Sequence, residues 1–265
     1  MLQPVDLHTH TVAGGHGTTD TIADLAKSAA QKGMTLIGIS DHGPATPGSC
    51  QESYFRALKN APRTRAGITV LYGAEANILN DEGSLDLSDS VLDGLDYCIA
   101  GIHPQSYRSS FYRRASFWDH RQITEDPSAA ASSNTQAYIR AMEHPGVRII
   151  SHPEDQHYPI LCEPLIEAAA SNGIILEVNE ASLGPGGYRG SQAECIHTLV
   201  HLLLLAKKAN LPVLLSSDSH GRAKIGSTPI ANLLIRCTDY PRDRIVNNMP
   251  LPRILELLGC PHVLG

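Results

Sequence analysis

Histidines in this chain recur at spacings that suit a bound cation. His8 and His10 stand two apart in Val5-Asp6-Leu7-His8-Thr9-His10. On a strand both side chains fall on one face, where two imidazoles can chelate one metal ion. Ala13-Gly14-Gly15 then forms a flexible turn that can carry His16 back to the same place. Further along, the same residue types close other apolar runs: Asp41-His42, Glu75, His103, His152 and Asp218-Ser219-His220. Seven histidines and two carboxylates with no thiolate suit zinc, manganese or iron. Nine side chains are too many for one ion, so two to three divalent ions with a bridging carboxylate are expected. Glu75 is the candidate bridge, because Gly73, Ala74 and Ala76 leave room around it.

Scattered ligands converge only if the fold brings them together. Seven stretches read as buried strands: 5–10, 36–42, 69–77, 97–103, 147–152, 174–179 and 213–220. They are continuous apolar runs, the pattern of a parallel sheet covered on both faces. Helical patterns separate them. Thr19-Asp20-Thr21 caps one that runs to Lys32 and stops at Gly33. Others are expected over 51–60, 135–143, 162–172 and 191–209, with three short ones near 229–237, 242–247 and 251–258. The alternation predicts an α/β chain, a distorted (β/α)7 TIM-like barrel with the metal site at the C-terminal rim of its strands. An open doubly wound sheet is the alternative. The chain has no G-x-G-x-x-G after a strand and no P-loop. Six of the seven strands carry a metal-type residue at or near their end. The exception, 174–179, offers Glu177, Asn179 and Glu180 as weaker candidates.

Composition bounds the rest. The 265 residues are 42% hydrophobic and carry a net charge of −6, a poor match to a nucleic-acid backbone. Six scattered cysteines form neither a disulfide framework nor a thiolate zinc site, which fits the cytoplasm. No signal peptide is visible, and the longest apolar run, Leu202 to Ala206, cannot span a bilayer. No nucleic-acid or membrane partner is expected. No domain boundary is evident, so residues 1–265 are read as one domain. The irregular segment is 104–133, which concentrates Arg108, Arg113, Arg114 and Arg121 with Tyr107, Phe111, Tyr112, Phe117 and Trp118. Segments of that length are usually functional or disordered.

Taken jointly, six motifs resemble the PHP (polymerase and histidinol phosphatase) phosphoesterase family. They are Asp6-Leu7-His8-Thr9-His10 with His16, Asp41-His42-Gly43-Pro44, Gly73-Ala74-Glu75-Ala76-Asn77, Ala100-Gly101-Ile102-His103, Ile149-Ile150-Ser151-His152-Pro153 and Ser217-Asp218-Ser219-His220. The chain looks most similar to stand-alone bacterial members with a trinuclear zinc site. That resemblance implies one ion on His8, His10, Glu75 and Asp218, a second on Glu75, His103 and His152, and a third on His16, His42 and His220. It also implies that Asp6 and Asp41 orient the adjacent histidines. Segment 104–133 departs from the family, in which the Asn134-Thr135-Gln136-Ala137 pattern resumes sooner.

The activity implied is hydrolysis of a phosphate monoester of a small metabolite by a hydroxide bridging two ions. Glu75, Asp218 and His103 would serve the chemistry. Arg189, in the loop after the sixth strand, would complete the charge clamp on the phosphate, with Arg113 and Arg114 as weaker bets. Phosphodiesterase or nuclease activity and a histidinol-phosphate phosphatase are the alternatives. C–N bond hydrolysis is disfavoured because no strand ends in lysine, and metal storage is the non-enzymatic reading. His197 and His201 are i, i+4 on a helix, but H-E-x-x-H is absent. Of the other histidines only His157, soon after His152, is placed to reach substrate.

Overall fold

The computed structural model describes residues 5–15, 17–114, 122–123, 126–185 and 189–264. In chain order the elements are β1 (Val5–Asp6), α1 (Ile22–Gln31), β2 (Leu36–Ile39), α2 (Glu52–Leu58), β3 (Thr64–Arg65), β4 (Ile68–Ile78), α3 (Asp89–Leu92) and β5 (Tyr97–Ile102). Then come β6 (Arg113–Arg114), β7 (Gln122–Ile123), α4 (Pro127–Met142), β8 (Val147–Ile150), α5 (Cys162–Asn172), β9 (Ile175–Asn179), α6 (Gln192–Lys208), β10 (Val213–Ser216), α7 (Pro229–Cys237) and α8 (Leu251–Leu258).

Seven strands run parallel in the order β1-β2-β4-β5-β8-β9-β10, and a helix follows each. The first and last strands meet. Thr9 bridges Ser219, and the His10 N–H donates to the Ser219 carbonyl at 2.9 Å. Lower down, Asn247 Nδ2 donates to both Val5 O and Leu215 O at 2.8 Å, tying the two strands through one amide. The sheet therefore closes, and the (β/α)7 barrel is the fold rather than the open sheet. β3 is a short antiparallel addition to β4, and β6 and β7 pair with each other in a hairpin between β5 and α4.

Two apolar layers hold it. One lies between strands and helices. The other fills the barrel interior with Leu71, Tyr97, Ile99, Ile149, Ile175 and Leu214, closed from below by Ile254, Leu255 and Leu258 of α8. Strand parity carries this interior face upward, since every second residue points the same way. Past Leu71 come Gly73 and Glu75, past Ile175 comes Glu177, and past Leu214 comes Ser216. The interior thus turns from apolar to polar within about two residues of each strand end.

Local signals explain the helix ends. Thr21 and Asp24 form a reciprocal capping box on α1, and α5 ends at Gly173 with φ 65°. Three expectations differ. The helix expected over 135–143 begins at Pro127, because Asp126 caps the Ala129 N–H and proline occupies the first turn. The segment 104–133 is accordingly shorter as a connection. The helix expected over 242–247 is two 3₁₀ turns, Arg242–Arg244 and Val246–Asn248. The strands also stop pairing before the ligand-type residues, so most of those lie just beyond the regular ladder. Among the described residues no helix is long and apolar enough to cross a membrane.

Candidate metal centre

Eight of the nine residues expected to hold metal converge at the C-terminal rim. His16 lies outside the described residues. Glu75 is at the centre, brought there as the eighth residue of β4, and it is fully buried. Its two oxygens face different partners. Oε2 lies 3.2 Å from His8 Nε2 and 3.4 Å from His10 Nε2. Asp218 Oδ1 completes that group, 3.5 Å from His8 Nε2 and 3.2 Å from His10 Nε2. Oε1 lies 3.2 Å from His103 Nε2 and 3.1 Å from His152 Nε2, and those two nitrogens are 3.2 Å apart.

These separations test whether metal fits. Ligand atoms in a tetrahedron at about 2.05 Å from an ion stand roughly 3.3–3.4 Å apart. The first group has four such edges and the second a complete triangle. His8 Nε2, His10 Nε2, Glu75 Oε2 and Asp218 Oδ1 are also buried with no hydrogen-bond partner among the described residues. Buried polar atoms left this way are costly unless something else binds them. Divalent ions in both groups would satisfy them, so the residues fit more than one ion. His42 stands beside both groups, its Nδ1 2.8 Å from Glu75 Oε2. His10, His42 and His220 offer ligand atoms within 4.8 Å of one another, and His10 stacks on His42 and His220 at 4.3 and 4.4 Å between ring centroids. His10 thus lies within reach of two groups, where the resemblance implied one.

The electrostatics are those of a charge-dense site. Burial alone would push His8 down, but Glu75, then Glu177 and Asp218, reverse that and hold it well above its usual value. Burial and the neighbouring His42 push His10 well below. Burial would raise Glu75 and Asp218, yet His8 and other cationic neighbours hold both far below the usual carboxylate range. Two of the rim residues adopt left-handed backbone, His152 at φ 34° and Asp218 at φ 48°, a conformation uncommon outside glycine. Gly101 leaves space for His152: a methyl there would collide with the Ser151 hydroxyl and crowd the His152 ring.

The supporting shell differs from the expected one. Among the described residues Asp6 bonds no histidine ring. It accepts from the His8 and Gly226 N–H groups and the Ser217 hydroxyl, so it fixes the ends of β1 and β10. Asp41 accepts from the Thr11 N–H, the Thr11 hydroxyl and the Tyr54 hydroxyl, so it shapes the turn that leads toward residue 16. Glu177, only a weak candidate as a ligand, is the residue that orients a ring. Its Oε1 is 2.6 Å from His8 Nδ1, and its Oε2 accepts the His152 N–H at 2.9 Å. Strand parity was the signal for it: Glu177 occupies the interior-facing position of β9 two residues above buried Ile175.

Arg189 is buried at 8% exposure rather than solvated. It donates to Asp218 Oδ2 at 2.9 Å and to the Ser182 hydroxyl at 3.3 Å. It touches the centre through Asp218. Glu154 escaped sequence reasoning; burial pushes its carboxyl up to about 8. His157 is half-buried and pairs with Asp155 at 2.9 Å. His197 and His201 are exposed on α6, and His201 reaches Glu163 at 3.4 Å, away from the rim. Side chains of Arg113 and Arg114 lie outside the described set, as do residues Phe117, Trp118 and Arg121. Tyr107 and Tyr112, by contrast, are packing groups, with ring centroids 5.6 and 5.3 Å from Tyr158.

Residues 6–181 match the PHP domain family model. The chain is 34% identical over 262 residues to a probable phosphatase of Shewanella sp. strain MR-4, spanning 99% of this chain and 94% of the relative. It is 32% identical to a probable phosphatase of Clostridium acetobutylicum, covering 92% of this chain and 89% of that one. Among solved structures, histidinol phosphate phosphatase from Lactococcus lactis, complexed with zinc, L-histidinol and phosphate, superposes with a TM-score of 0.61 at 13% identity. That likeness covers 91% of this chain and 95% of that one, and it is a likeness of fold.

Proposed function

The chain belongs to the PHP domain family, and we propose that it is a metal-dependent phosphatase acting on a small phosphate monoester. One observation carries this reading: Glu75 joins two groups of ligand atoms, each with tetrahedral spacing, at the end of a parallel barrel. His8, His10, Glu75 and Asp218 would hold one ion, and Glu75, His103 and His152 the second. His42 and His220 would hold a third, together with His16. Zinc is the ion expected for this histidine-rich set, with manganese or iron as substitutes. When bound, such ions neutralise phosphoryl charge and lower the pKa of water toward ~7, which makes a nucleophile available at neutral pH.

The chain's own groups have defined work. Glu75 sets the spacing of the two groups by offering one oxygen to each. Glu177 accepts from His8 Nδ1, which presents Nε2 as a lone pair. Arg189 offsets the charge of Asp218 and keeps its Oδ1 turned to His8 and His10. In this reading Arg189 acts as a support for Asp218 first and as a phosphate clamp only through its remaining N–H groups. The relatives named as probable phosphatases, and the zinc and phosphate held by the Lactococcus lactis enzyme, support the same reaction class.

The test is phosphate release from a panel of phosphorylated metabolites by protein stripped with chelator and reloaded with zinc, manganese or iron. Turnover that is lost on stripping and restored by metal is expected. No phosphate release from any ester under any metal would overturn the proposal.

A further inference from the structure

A cleft of about 850 Å³ adjoins the candidate metal centre, with Asp218 and His220 in its lining. Its size suits a small ligand. The loop after His220, which carries Arg222 and Lys224, lines it as well.

That loop is built rather than loose. Lys32, at the C-cap of α1, donates from its ammonium to the carbonyls of Arg222, Ala223 and Ile225 at 3.1, 2.8 and 2.9 Å. Asp6 accepts the Gly226 N–H at 2.8 Å. Asp20 accepts the Arg222 N–H at 2.7 Å. The backbone on either side of exposed Lys224 is thus held at three points.

The charges lining the cleft can be paired off one by one. Asp20 is neutralised by the Arg222 guanidinium at 3.1 Å, which also reaches Asp24 at 3.6 Å. Glu180 is occupied by the first turn of α7, accepting from the Ile230 and Ala231 N–H groups at 3.1 and 2.9 Å. Asp218 is held by Arg189. The Lys224 ammonium alone among the described charged groups of this cleft has neither an ion pair nor a hydrogen bond.

We propose that Lys224 is a specificity residue that receives a carboxylate on the leaving group of the phosphate ester. The inference rests on the phosphatase reading above and adds the substrate class. One ammonium matches one carboxylate in charge, whereas a second phosphate dianion would need further free donors. A cationic leaving group would meet the unpaired ammonium and be repelled.

The experiment compares two esters of nearly equal size, phosphoglycerate with a carboxylate and glycerol phosphate without one. The ratio of their kcat/KM values is read for metal-loaded wild type, Lys224→Ala and Lys224→Glu. Wild type should favour phosphoglycerate by about tenfold, the scale of one partly screened charge-assisted hydrogen bond. Lys224→Ala should bring the ratio near unity and Lys224→Glu should invert it. A purely structural lysine would not produce the inversion. A ratio unchanged across the three proteins, with both esters hydrolysed, overturns the role of Lys224 and leaves the phosphatase reading standing. Failure of wild type to hydrolyse either ester or p-nitrophenyl phosphate overturns both.

Discussion

Glu177→Gln is the perturbation that most directly tests how the centre is assembled, because it preserves shape while turning one carboxylate oxygen into an amide donor and removing the charge. The carboxylate takes four donors. Oε1 accepts from His8 Nδ1 at 2.6 Å and the Ser216 hydroxyl at 2.5 Å. Oε2 accepts from the His152 N–H at 2.9 Å and Asn179 Nδ2 at 3.0 Å. The His152 N–H cannot become an acceptor, so a glutamine must turn its oxygen that way and its amide toward His8. His8 Nδ1 then accepts, and the ring proton moves to Nε2, the atom that faces Glu75 and Asp218. An ion entering there must displace that proton and forfeit the new hydrogen bond, at roughly 1.5–3 kcal/mol. Affinity for the ion at His8 and His10 should therefore fall by about 10- to 100-fold. Titration against a graded chelator, followed by elemental analysis, reads this. Thermal melting in excess chelator separates it from a folding defect. Affinity within about twofold of wild type would refute the tautomer argument.

Other consequences follow from the same geometry. Elemental analysis of gently purified protein should find roughly two to three transition-metal ions per chain, and one or fewer after metal add-back would exclude the shared Glu75. Glu75→Gln should lower turnover by at least ~100-fold with far-UV circular dichroism unchanged, and a near-wild-type rate would rule out the bridge. Glu75, Glu177 and Asp218 hold His8 above its ordinary value, so protons compete with a cation for it. Metal binding should therefore weaken as pH falls, with proton uptake by the released ligands; calorimetry in two buffers of different ionisation enthalpy at the lower pH would expose a proton-neutral event. Arg189→Met strips a buried charge partner from Asp218, so denaturant unfolding in chelator should show a loss of about 3–5 kcal/mol, and a loss under about 1 kcal/mol would mean Asn179 suffices.

Much of this was legible because a parallel barrel makes strand ends equivalent. Once seven apolar runs were recognised, any ligand-type residue closing a run had to reach one rim, and His8, His10, His42, Glu75, His103, His152, Asp218 and His220 all do. Boundaries of α5, α7 and α8 were readable because Gly173, Pro229 and Gly259 mark them. Sequence failed where the deciding contact is non-local. Asp6 and Asp41 sit beside histidines in sequence, yet their oxygens serve Ser217, Thr11 and Tyr54. Glu177 lies 169 residues from His8, and no spacing rule links them. The early start of α4 was hidden by its serines, which favour caps and turns until a neighbouring cap at Asp126 decides otherwise.

Most of the candidate ligands, Glu75 apart, stand beyond the regular ladder, and that position explains the strain at the rim. Inside a parallel ladder side chains alternate between interior and exterior, so adjacent residues cannot both face the centre. Leaving the ladder after Ile150 and Ser216 frees the chain to turn, and His152 and Asp218 do so through left-handed backbone. Such conformations persist only when surrounding bonds over-determine them. For His152 the bond is its own N–H to Glu177. For Asp218 it is the pair of side-chain donors from Arg189 and Asn179. The same two groups, Glu177 and Arg189, thus hold the strained backbone and set the charge of the first ligand group. Backbone strain and charge balance at this rim rest on one connected set of hydrogen bonds.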